Sequence, residues 1–139
     1  MTNIDLARSY IFKAESRLKA LKVLLNESDF SDVIREAQEA VELALKGMLR
    51  TAGIEPPKHH DVGSLLLEHQ DKFIPEVAGG LKRAAEISKR LRKERELAFY
   101  GDIDFIPTEE YSSDEADRAY ADAERIVTLA RRLIGGLSA

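Results

Sequence analysis

The chain has no cysteine in its 139 residues, which removes disulfides, thiolate metal sites and cysteine nucleophiles together and suits a reducing, cytoplasmic setting. Histidine is scarce as well. His59 and His60 are adjacent and His69 follows at a distance, so none of the three has the i, i+4 spacing that puts two imidazoles on one helix face, and no metal site is expected. No window approaches the roughly 20 apolar residues of a membrane span. The start Met1-Thr2-Asn3-Ile4-Asp5 lacks the basic residues and apolar run of a signal peptide. A glycine-rich phosphate loop, a nucleophilic serine motif and paired catalytic carboxylates are all missing, so neither a cofactor nor one of those chemistries is expected.

What remains is the length of one domain, with 44% hydrophobic residues, enough for one core and hence a single unit over 1–139. Ile4, Ala7, Ile11, Ala14, Leu18, Leu21 and Leu25 step by threes and fours and predict a long first helix with one buried face. A second helix is expected from Ser31-Asp32, capped by Ser31, through Ile34, Ala37, Val41, Ala44 and Met48, until Gly53 and Pro56-Pro57 stop it. Asp61 can cap a short helix through Leu65, Leu66 and His69, and Pro75 suits the first turn of a third long helix burying Val77, Leu81, Ala84, Ser88, Leu91 and Ala98.

Gly101 and Pro107 bracket a loop, with Thr108 to Asp114 its most mobile part. Ser112 and Glu115 then have capping-box spacing, and a fourth long helix runs through Ala116, Ala119, Ala123, Ile126, Ala130 and Leu133 up to Gly135-Gly136. Almost nothing reads as strand. The expected fold is all-α, an antiparallel up-and-down four-helix bundle with one extra short helix between the second and third long ones. Leu6, Tyr10 and Leu24 on the first helix, with Leu43, Leu45 and Leu49 on the second, widen the apolar stripes beyond one seam, which suggests a second buried side and a homodimer.

The formal net charge of −4 hides an asymmetry. From Leu81 to Arg95 seven basic residues face two acidic ones, and from Asp102 to Glu124 nine acids face Arg118 alone. Solvated helix faces with cations near a helix C-terminus explain this blandly; an anion-binding stripe explains it as well. Lys46 follows Glu42 by one helical turn, the spacing of a surface ion pair.

The run Glu36-Ala37-Gln38-Glu39-Ala40-Val41-Glu42-Leu43-Ala44-Leu45-Lys46-Gly47-Met48-Leu49, then Gly53, Pro56-Pro57, His60-Asp61 and Leu65-Leu66, resembles the central part of a HEPN-family domain. Arg92 to Asp102, Tyr111-Ser112 and the alanine-rich last helix extend the likeness over nearly the whole chain. The resemblance implies a cytoplasmic helical bundle, usually dimeric, paired with a small nucleotidyltransferase as toxin and antitoxin. Catalytic members of the family are metal-independent ribonucleases with an arginine followed, after four to six residues, by a histidine at the end of the third long helix. An arginine there can hold the scissile phosphate while the histidine exchanges protons near neutral pH.

This chain departs from that motif. In the region after Arg95 stand Tyr100, Gly101 and Asp102, and after Arg92 stand Leu97, Ala98 and Phe99, none of them an imidazole. A phenol with pKa about 10 is a poor proton acceptor at neutral pH. The expected role is therefore an interaction module that contacts nucleotide or RNA through Arg92, Arg95, Tyr100 and Asp102. The alternative is an atypical ribonuclease using Arg95 with Tyr100 or Asp102. Arg95 follows Leu91 by one turn and should lean toward the buried face, in need of an acidic partner, whereas Arg92 should be exposed. For Tyr100, closing the bundle end is the commoner role for an aromatic than stacking on a base, and the resemblance adds modification by a paired transferase, although Tyr100 stands at the motif's histidine position and not two residues after it.

Overall fold

The computed structural model describes residues 2–58, 61–100, 106 and 110–137, without the side chains of 96–100 and 136–137. All regular structure among the described residues is helical: α1 Asn3–Asn26, α2 Phe30–Thr51, the short α3 Val62–Glu68 with a 3₁₀ turn at Gln70–Lys72, α4 Pro75–Tyr100 and α5 Ser113–Leu137. The helix ends follow local chemistry. Thr2 and Asp5 form a capping box at α1, Asp61 accepts from the Gly63 amide at α3, and Ser112 and Glu115 exchange side-chain and backbone hydrogen bonds at α5.

Three boundaries differ from the sequence expectation. Asp29, not Ser31, caps α2 by accepting from the Asp32 amide, and Ser31 lies buried inside the first turn. Burial and the nearby Asp32 carboxylate push the Asp29 carboxyl above its ordinary pKa. Helix α5 also continues through Gly135 to Leu137; a glycine weakens a helix by about 1 kcal/mol without forbidding it, so Gly135-Gly136 is no stop by itself. The stretch expected to be loosest is anchored in its second half: Tyr111 is buried in the core and Ser113 already begins α5, while 108–109 lie outside the described residues. Gly53, by contrast, ends α2 as expected, with a φ of +75° that L side chains rarely adopt.

Helix α2 is the centre of the molecule, packing against α1, α3, α4 and α5. A helix surrounded by neighbours needs apolar residues on more than one face, and this explains its surplus. Leu45 and Leu49 are both 0% exposed, which corrects the reading that set them on an intersubunit side. Leu24 and Leu43 are half-buried against the same core. The large apolar side chains most open on α1 are instead Phe12 and Val23, at 71% and 61% exposure. Gly47 lets α1 approach α2 closely, since a Cβ there would stand 3.1 Å from Ile11 Cγ1 and 3.2 Å from the Ala7 carbonyl.

Charged cross-links fix the relative sense of the helices. Arg17 pairs with Glu36 and Arg50 donates to Asn3, so rising numbers on α1 meet falling numbers on α2. Arg92 to Glu42 and Arg95 to Glu39 set the same opposed sense between α4 and α2. That register brings the basic end of α4 onto the middle of α2.

Candidate functional site

The basic run of α4 is not one stripe; the helix deals it out around its circumference. Arg90 turns to α5, where it forms an ion pair with the buried Asp122. Arg92 and Arg95 turn to α2. Arg92 Nη2 donates to Glu42 Oε1 at 2.7 Å and to Oε2 at 3.3 Å, and Arg95 Nη2 approaches Glu39 Oε1 at 3.5 Å. Gln38 Nε2 donates to Glu42 Oε2 at 3.1 Å and helps hold that carboxylate.

The Arg95 expectation needs correction. Its side chain is 41% exposed and does not enter the core, because a long stem can lie on the apolar surface while its guanidinium reaches water. The expected acidic partner is nevertheless present, supplied by Glu39. Arg92 is 43% exposed, close to expectation. Tyr100 is the last residue of α4, but its side chain lies outside the described residues, as does Asp102 altogether. His59 and His60 also lie outside them. The expected Lys46–Glu42 pair does not form; Glu42 turns to Arg92 and Gln38 instead.

Gln38, Glu39, Glu42, Lys46, Lys58, Arg92 and Arg95 line one open cleft of about 280 Å³. Four of these are cations and two are carboxylates, so the cleft keeps a net positive charge after both arginines are paired. Lys46 and Lys58 have no ionic or hydrogen-bond partner among the described residues. Gln38 is 5% exposed, and its Oε1 carbonyl has no hydrogen-bond partner among the described residues either. A buried acceptor without a donor is unfavourable by roughly 1–3 kcal/mol, and this one is closed to solvent, so it is a local cost of the packing. The Arg95–Glu39 pair is half-exposed on both sides and worth only about 0–1 kcal/mol, weak enough for an oligoanion to exchange against, whereas Arg92 is held by a Glu42 carboxylate that is only 13% exposed. The cleft thus offers phosphates the cations of Arg92, Arg95, Lys46 and Lys58.

Gln38, Glu39 and Lys58 were absent from the sequence-derived site, and so were Glu42 and Lys46, which were expected only as a surface ion pair. A signal for the acids exists: Glu39 and Glu42 repeat on α2 the i, i+3 spacing of Arg92 and Arg95 on α4. Among the described residues no three His, Cys, Asp or Glu side chains gather closely enough to hold a metal.

Tyr111 joins the start of α5 to the later part of α4. Its hydroxyl donates toward Glu94 Oε2 at 3.2 Å and the Glu94 carbonyl at 3.4 Å, tying the approach to α5 to the end of α4. Burial, reinforced by the Glu94 carboxylate, pushes the phenol up to about 12. A phenol with a raised pKa keeps its proton in the folded state after the unfolded chain has lost it. Its stabilising contribution is therefore complete below about pH 10 and falls away as pH rises toward 12. An ultraviolet titration should show one tyrosine ionising well above the ordinary phenol range, and Tyr111→Phe should abolish that late step. A titration unchanged by the substitution would refute the assignment.

A model of the HEPN domain matches residues 7–133, and the chain belongs to the HEPN family. Among curated proteins, it is 25% identical over 131 residues to a candidate toxin of Methanocaldococcus jannaschii, covering 90% of this chain and 86% of that protein. Among the described residues no helix is long and apolar enough to cross a membrane.

Proposed function

We propose that the chain is a HEPN-type member of a toxin–antitoxin pair that works by interaction, with the cleft between α2 and α4 holding the phosphates of a nucleotide or RNA. The whole of 1–139 acts as one unit in this reading, its four long helices closing up and down into a bundle. It acts as a homodimer in the cytoplasm beside a small nucleotidyltransferase partner. The observation that carries the reading is the convergence on one cleft of Arg92 and Arg95 with Lys46 and Lys58, which have no partner among the described residues. The candidate toxin from Methanocaldococcus jannaschii supports the toxin–antitoxin class. The missing histidine after Arg92 and Arg95 favours binding over the family's usual cleavage chemistry.

Binding of a fluorescently labelled single-stranded RNA tests the cleft. The double variant Arg92→Ala/Arg95→Ala should weaken it about tenfold or more and reduce the salt slope by roughly 1.4, as expected for two lost phosphate contacts. Unchanged affinity and slope would exclude the cleft. Incubation of the same RNA in EDTA separates the enzymatic alternative: cleavage by the wild type that vanishes in Arg95→Ala would replace the interaction reading. Co-expression with a nucleotidyltransferase encoded beside the gene should yield a co-purifying complex, and its failure to form would remove the pair.

A further inference from the structure

A second concavity lies elsewhere, between α4 and α5, which among the described residues make a sparser contact than the other neighbouring long helices. It is a trough of about 540 Å³. Ala84, Ile87, Ile126 and Leu129 supply an apolar floor, and Arg83, Arg125 and Arg132 stand on its margins. These three arginines are exposed and have no ion pair or hydrogen bond among the described residues. Elsewhere the protein pairs its guanidinium groups readily: Arg17, Arg35, Arg90, Arg92, Arg95 and Arg131 all meet carboxylates. The one acid lining the trough, Glu124, accepts from the Tyr120 hydroxyl at 3.3 Å and makes no ion pair with the arginines.

The shape narrows the occupant. Gly79 has nothing within 4 Å of the place a Cβ would take, and at Gly80 only the flexible Leu129 side chain is near. With Ala84 and Ala121 they form a smooth bed on which another backbone can lie closely, the condition for a third helix to settle over two. Among the described residues no aromatic side chain lines the trough, so a nucleobase finds no stacking platform there, and the apolar floor offers nothing to a phosphodiester backbone. A helix with an apolar stripe and acidic flanks satisfies both parts at once, filling the floor and neutralising three open cations.

We infer that the α4–α5 trough is a docking surface for an acidic amphipathic helix of a partner protein. Its charge complementarity and its bed of small residues carry this inference, which is separate from the α2–α4 cleft and does not depend on what that cleft binds.

The test uses the full chain and a fluorescein-labelled synthetic peptide of about 16 residues, roughly four helical turns, with leucines on one helical stripe and glutamates along both its edges. A control peptide has the same composition in an order that breaks the stripe, and a single-stranded RNA of matching charge serves as competitor. The patterned peptide should bind saturably, and the control about tenfold or more weaker. Arg83→Glu, Arg125→Glu and Arg132→Glu should each lower affinity about tenfold, with little effect on the melting temperature because none of these side chains holds a partner. Gly79→Leu fills the trough and replaces a helical glycine, so binding should fall while the melting temperature stays level or rises. Equal binding of the two peptides, or displacement of the patterned one by RNA, would overturn the inference. So would a change in the protein's own oligomeric state in the arginine variants, because the occupant would then be a second copy of the chain.

Discussion

Leu45→Ala should destabilise the protein by about 2–5 kcal/mol and lower the melting temperature by on the order of 10 °C. Leu45 is fully buried at the centre of α2, the helix that touches every other long helix. Truncation removes the transfer free energy of three carbons and leaves a cavity in the closely packed core, which relaxes only in part. Chemical or thermal unfolding checks the magnitude, and native mass across a concentration series checks the location. If Leu45 packed between subunits, the substitution would shift the mass at low concentration; buried within one chain, it should lower stability and leave the mass unchanged. A loss below roughly 0.5 kcal/mol, the scale of surface changes, would contradict the packing described.

Gly63→Ala should destabilise by about 1–3 kcal/mol, although alanine is the better helix former by about 1 kcal/mol in a helix interior. A Cβ at position 63 would lie 2.8 Å from Ala85 Cα and 3.1 Å from Ala85 Cβ. The closer atom is backbone, so no rotamer change relieves the contact; α3 and α4 must separate. Ala85→Gly removes the 3.1 Å clash and leaves the 2.8 Å one, so in a double-mutant cycle it should recover part of the loss and not all of it. Full recovery, or a gain in stability from Gly63→Ala alone, would show that the two helices are not in this contact.

How much of this was legible beforehand depends on the range of the interaction. Helix number and order, the Asp61 cap and the Ser112–Glu115 box are local, and periodicity or a short motif reveals them. The Asp29 cap was masked by the neighbouring Ser31-Asp32, which has equally good capping chemistry. The apolar surplus of α2 was visible but its meaning was not: a helix enclosed by its own chain and a helix pressed on a second subunit have the same composition. Arg92 and Arg95 could be singled out because they sit in one local run, whereas Gln38 and Lys58 join them only through the register of α2 against α4. The unpaired state of Arg83, Arg125 and Arg132 is less legible still, since it depends on which acids fail to reach them.

The pairing of Arg92 with Glu42 and Arg95 with Glu39 has a bearing on selectivity. Each arginine already has a tethered rival for any incoming anion, and a lone chloride or acetate gains little by displacing it. A chain of linked charges can engage Lys46 and Lys58 first and then displace the more open Glu39 from Arg95, so the resting cleft should discriminate by valence.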